Sequence, residues 1–85
     1  MALLLTRTFQ KNFLRLPKSS QSKVEAALRE IYSNPLAGKK LLGDLEGEFS
    51  FRIGAYRIIY FIDQEKNIMV ETVRHRKEVY KRLGG

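Results

Sequence analysis

The sequence predicts an α+β domain: an N-terminal strand, a helical hairpin, then a three-stranded antiparallel meander ending in a short C-terminal helix. Three observations carry that prediction. Apolar residues recur at 9, 13 and 16, and again at 24, 27, 28 and 31, the period of two helices that each bury one face. At 49, 51 and 53 apolar residues alternate with Ser50 and Arg52, the two-residue period of a half-buried strand. Gly54-Ala55 separates this run from a second one, aromatic and β-branched, that begins at Tyr56. A Gly-X pair between two strands reads as a tight hairpin, because Gly supplies the positive φ of a type II′ turn.

Ala2 to Thr6 is a short apolar strand at a sheet edge, and Thr6 or Thr8 can cap the helix that follows. This first helix runs to about Leu16, where Pro17 stops it by disfavouring the α conformation in the residue before it. The second helix starts near Ser19 or Ser20, or a turn later if Ser22 and Glu25 form a capping box. Val24, Ala27, Leu28 and Ile31 make its buried face, and Asn34-Pro35 closes it. Residues 36–47 read as a mainly structural connection in which Leu41, Leu42 and Leu45 tuck against the core, with Lys39 and Lys40 as candidate outer phosphate contacts. Its glycine spacing matches neither the P-loop nor the dinucleotide fingerprint. After the hairpin comes a polar turn at Asp63–Asn67, then a strand from Ile68 to Arg74. Strict alternation there places Ile68, Val70 and Thr72 on one face and Met69, Glu71 and Val73 on the other. Glu71, among apolar neighbours, needs a partner, and Arg52 and Arg57 are the natural candidates. Lys77 to Leu83 form the short last helix. The two helices lie across one face of the sheet, which leaves the other for chemistry.

The 85 residues are read as one domain, 1–85, small enough that folding buries only roughly 60% of the unfolded surface. Apolar content of 44% and mixed-sign charge of 29% argue for a globular chain over a disordered one. No apolar run approaches a membrane span, and Leu3-Leu4-Leu5 is too brief for a signal peptide. The absence of cysteine fits a reducing cytoplasm, and a single histidine without clustered carboxylates leaves little material for a metal site. The net charge of +7 is concentrated: residues 74–82 hold five Lys/Arg and one Glu. Such a patch is the footprint of a polyanion binder, although it also suits a solvated basic helix end.

The face turned away from the helices is expected to show Ser50, Arg52 and Arg57, with Arg74, His75, Arg76 and Tyr80 at its C-terminal margin. Arginine holds phosphate through a planar fork of donors, while histidine and tyrosine can move protons. This set can grip an RNA backbone and assist attack of a ribose 2′-hydroxyl on the adjacent phosphate, a reaction that needs no metal or other cofactor. The plainer readings stay open: Arg52 and Arg57 as solvated sheet residues, Tyr80 as a packing residue, His75 as a surface histidine.

Two motifs then go beyond generic chemistry. Gly54-Ala-Tyr-Arg-Ile-Ile-Tyr60 has the form G-x-Y-R-x-x-Y, and His75-Arg-Lys-Glu-Val-Tyr80 the form H-R-x-x-V-Y. As a pair, and with the preceding helical hairpin ending in Asn34-Pro35, they resemble the RelE/ParE superfamily of type II toxins over nearly the whole chain. The resemblance implies a RelE-like microbial RNase fold and a ribosome-dependent endoribonuclease that cuts messenger RNA in the A site of the 70S ribosome. By position it assigns phosphate stabilisation to Arg57, the arginine of the C-terminal motif to Arg76, and ribose orientation or activation to Tyr80. Arg52, Ser50, Arg74, Lys77, Lys81, Lys39 and Lys40 are the expected RNA contacts. RelE carries a lysine, implicated as the base, where this chain has Ser50, and His75 lies where some relatives have lysine. The resemblance also implies an acidic, RelB-like antitoxin. Two alternatives follow from the same resemblance: a ParE-like inhibitor of DNA gyrase, or a weakly active toxin homologue that acts mainly through its antitoxin.

Overall fold

Residues 1–41, 47–75 and 77 are described by a computed structural model. The chain runs β1 (Leu3–Leu5), α1 (Arg7–Leu14), α2 (Lys18–Ser33), β2 (Lys39–Lys40), β3 (Glu48–Ile53), β4 (Tyr56–Ile62) and β5 (Ile68–His75). The strands form one sheet in the order β1-β5-β4-β3-β2. The meander β3-β4-β5 is antiparallel as expected, and β1 joins its outer side parallel to β5, with Leu3 opposite Ile68. The two-residue hairpin turn is at Gly54-Ala55, where only the glycine has positive φ, +59°, as a type II′ turn requires.

Both helices bury their apolar stripes against one face of this sheet. Phe9 of α1 and Val24, Ala27 and Ile31 of α2 meet Phe49, Ile58, Tyr60, Ile68, Val70 and Val73 in a single core. Thr6 is the N-cap of α1: its hydroxyl accepts from the Phe9 N–H at 3.1 Å. The helix ends at Leu14, two residues short of the expected Leu16, and Pro17 serves as the N-cap of α2, which therefore starts at Lys18. No side-chain cap forms at Pro17, so the Ser22–Glu25 box is not used. The α1–α2 junction is held instead by Gln21, whose side-chain amide donates to the Phe13 and Leu16 carbonyls at 3.2 and 3.1 Å. Both carbonyls lie at or just past the C-terminal end of α1, where the intrahelical ladder runs out. Among the described residues, no helix is long and apolar enough to cross a membrane.

Two sequence expectations are corrected. Residues 39–40 are not part of a loop but a short edge strand, with Lys39 opposite Ser50 and Lys40 opposite Phe49. Two lysines on a two-residue edge also discourage another chain from pairing there. In β5 the alternation breaks, because Ile59 pairs with Thr72 while Tyr60 pairs with Val70. Glu71 is the extra residue of a β-bulge, so Val73 swings onto the face of Ile68 and Val70 and is buried, while Thr72 turns away. At the bulge Glu71 is partly exposed, and its backbone carbonyl accepts from the Thr6 hydroxyl at 2.7 Å. Leu42 and Leu45, and the last helix expected at 77–83 apart from Lys77, lie outside the described residues.

Candidate functional site

Register decides which side chains share the face turned away from α1 and α2. Arg52 of β3 stands directly opposite Arg57 of β4, and Arg57 directly opposite Arg74 of β5. Three arginines therefore stand in one row across three adjacent strands, at the hairpin end of the sheet. Directly opposed residues have their Cβ atoms about 4.5–5.5 Å apart, and like charges so placed cost stability.

The row is braced from below. Ser50 is only 4% exposed, and its hydroxyl accepts a 3.3 Å hydrogen bond from Arg57 Nη1. The Nε atoms of Arg57 and Arg74 are buried, so both stems are sunk in the sheet while Arg52, at the outer end, is exposed. Arg52 Nε lies 3.5 Å from the Gly54 carbonyl, at the outer limit of a hydrogen bond. Beside Ser50 on the same face is Lys39, its register partner from β2. Two arginines with buried stems, an exposed third and an exposed lysine at the margin present the kind of donors that a phosphodiester accepts.

A family described as the ParE toxin of type II toxin-antitoxin systems matches residues 3–80. The chain belongs to the ParE/RelE toxin family. It is 36% identical over 80 residues to toxin RelG of Mycobacterium tuberculosis, covering 91% of this chain and 92% of that protein. Toxin RelE of the same organism is 41% identical over 61 residues, 69% of this chain and 63% of the relative. In structure it is similar to the toxin–antitoxin complex RelBE2 of M. tuberculosis, with TM-score 0.80, 32% identity, and coverage of 88% of this chain and 96% of that one. The isolated RelE toxin of E. coli shares the fold at TM-score 0.74 and 19% identity, over 96% and 97% of the two chains.

In this ParE/RelE toxin the residues expected at the site divide into three groups. Arg52, Arg57 and Arg74 come together on one face, with Lys39 beside them. Ser50, Lys40 and His75 are placed otherwise than expected. Ser50 is a buried brace for Arg57 and not a surface contact. Lys40, opposite Phe49, falls on the helix side of the sheet. His75 pairs with Tyr56 on that same helix side, the two rings edge-on at 5.6 Å, and so leaves the Arg57 face. The bulge at Glu71 is the cause, since it reverses the parity of every later residue in β5. Lys77 is exposed, and its backbone N–H donates to His75 Nδ1 at 3.3 Å. Arg76, Tyr80 and Lys81 lie outside the described residues.

The second tyrosine of the G-x-Y-R-x-x-Y motif has a role the sequence did not disclose. Tyr60 is fully buried and stacks on Phe49 at 5.2 Å, while its hydroxyl donates to the Pro35 carbonyl at 2.8 Å and accepts from the Gly38 N–H at 2.9 Å. It thereby pins the segment leading into β2, and with it Lys39. Burial pushes its phenol above the ordinary value of 10.0, partly offset by the Gly38 hydrogen bond. Two turn signals upstream, Asn34-Pro35 and Gly38, mark where such an anchor is needed.

Proposed function

We propose that this chain is the toxin of a type II toxin–antitoxin pair and acts as a ribosome-dependent endoribonuclease on messenger RNA. The observation that supports this most is the arginine row Arg52–Arg57–Arg74 on one sheet face, with Arg57 held in place by Ser50. In the proposed step a ribose 2′-oxygen attacks the adjacent phosphorus and the bond to the 5′-oxygen breaks. The 2′-hydroxyl proton leaves to a base, and the departing 5′-oxygen takes a proton from an acid. A 2′,3′-cyclic phosphate and a 5′-hydroxyl result. Arg57 and its row neighbours stabilise the charge that builds on the phosphate oxygens, and Arg76 adds a further guanidinium from the tail. Tyr80 orients or activates the ribose; His75, turned toward Tyr56, is not assigned proton transfer.

The partner is an acidic, RelB-like antitoxin, and the site of action is the cytoplasm. Net charge of +7 suits such a partner, as does an apolar depression of about 340 Å³ lined by Leu5, Phe9, Phe13, Leu14 and Leu28 beside the edge strand β1. Similar solved structures include RelB–RelE complexes from E. coli and Methanococcus jannaschii.

Induction of the chain without its antitoxin is expected to stop translation, with primer extension revealing cuts inside translated codons. Arg57→Ala combined with Tyr80→Phe should abolish the cuts, because loss of one transition-state donor alone costs on the order of 10²–10³ in rate. Cuts that persist in the folded double variant would overturn the site. A second reading, inhibition of DNA gyrase, is favoured by the match to a ParE description and by Ser50 in place of a lysine. Supercoiling by purified gyrase separates the two: inhibition with messenger RNA left intact selects the gyrase reading.

A further inference from the structure

On the β2 side of the arginine row, the described residues place Ser50 and Lys39 on the same face. Ser50 is buried, and its hydroxyl oxygen is turned to Arg57 Nη1, so it offers a phosphate neither charge nor an exposed donor. In the ladder the three arginines stand nearer the hairpin than Ser50 does. On the other side the chain places Lys39, directly opposite Ser50 in the β2–β3 ladder, which continues through the Leu41 N–H to Glu48 carbonyl bond at 2.9 Å. Directly opposed residues of an antiparallel pair share a face, and the four-carbon stem of lysine carries its charge beyond the serine it faces. Lys40, the next residue, shares the opposite face by the same alternation. The position of Lys39 is fixed from behind, since Tyr60 ties both Pro35 and Gly38 immediately upstream.

We propose that Lys39 is a substrate-contacting residue that reaches from β2 over Ser50 and binds a non-bridging oxygen of the phosphate held by Arg57. The phosphate is then gripped from two sides, by the planar forks of the arginine row and by a point charge from the sheet edge. Because the extra negative charge of the reaction develops on those oxygens, Lys39 acts mainly on the rate of the chemical step. This assignment rests on the RNA-cleavage reading above.

The test uses the absence of cysteine from the chain, which makes Lys39→Cys the sole target for a thiol reagent. Single-turnover cleavage is measured with purified toxin on 70S ribosomes programmed with a short messenger RNA. Lys39→Cys should cut on the order of 10²-fold more slowly than the parent. Alkylation with 2-bromoethylamine, which rebuilds an ammonium at nearly the length of lysine, should restore most of the rate. Alkylation with iodoacetamide, which adds bulk without charge, should not. Equal recovery with both reagents would overturn the charge role, as would a loss at Lys40→Cys as large as at Lys39→Cys. Parent-like cleavage by Lys39→Cys, with Arg57→Ala inactive in the same assay, would end the role of Lys39 and leave the nuclease reading standing. A parent chain that cuts nothing would remove that reading itself. Melting temperatures of parent and Lys39→Cys are compared first; because Lys39 is exposed on an edge, they should agree.

Discussion

Tyr60 joins the core to the segment that follows α2. Its hydroxyl is the partner of one carbonyl and one N–H from the segment after α2, so removing it leaves both of those backbone groups short of a partner. Tyr60→Phe is expected to cost about 1–3 kcal/mol of unfolding free energy, read from denaturant titration at neutral pH. Gly38 is the other half of this contact, because a Cβ there would come within 2.7 Å of the Tyr60 hydroxyl. Alkali provides a second readout. The folded phenol titrates above 10.0, whereas the unfolded one titrates near it, so the unfolded chain loses its proton first. The stability that Tyr60 contributes is thus complete below about pH 10 and declines as pH rises through the folded value. Circular dichroism from pH 9 upward should show alkaline destabilisation in the parent and less of it in Tyr60→Phe.

At the scale of elements, the bulge in β5 and the N-cap of α1 form one unit. The Thr6 hydroxyl accepts from Phe9 and donates to the Glu71 carbonyl at 2.7 Å, while the Thr6 N–H donates to the Val70 carbonyl at 3.1 Å. One residue thus starts the helix and satisfies the carbonyl that the bulge takes out of the ladder. Thr6→Val keeps the shape and removes both side-chain bonds, and about 1–2 kcal/mol of stability should go with them. Thr6→Ser should retain most of it. The bulge also explains why the site is narrower than the sequence suggests. Strict alternation joins His75 to the opposite face from Arg74 in any register, but only the shift at Glu71 puts Arg74 beside Arg57 and Val73 into the core.

Over the whole molecule, charge and topology act together. A sheet covered on one side by α1 and α2 collects Arg52, Arg57 and Arg74 on its other side, and a net charge of +7 favours the approach of any polyanion, the RNA of the proposed function included. For single-stranded nucleic acid each neutralised phosphate contributes about −0.7 to the slope of log K against log salt. Arg52→Ala should therefore flatten that slope by about 0.7 in fluorescence titrations with a short RNA, and weaken binding equally across RNA sequences. An unchanged slope would mean that Arg52 does not touch the backbone.

By itself the sequence determined what depends on local periodicity and turn chemistry. The stripes ending in Leu16 and Ile31, the alternation around Phe51 and the glycine of the hairpin each act within a few residues, so the α+β order and the two arginines flanking Gly54 could be read directly. Tertiary structure decided whatever depends on register between distant segments. The pairing of Lys39 with Ser50, the insertion of Glu71 as a bulge, the burial of Ser50 and the departure of His75 toward Tyr56 all follow from hydrogen bonding across strands far apart in sequence. Because side chains alternate with a period of two, one inserted residue exchanges the faces of everything after it, and no local pattern announces it.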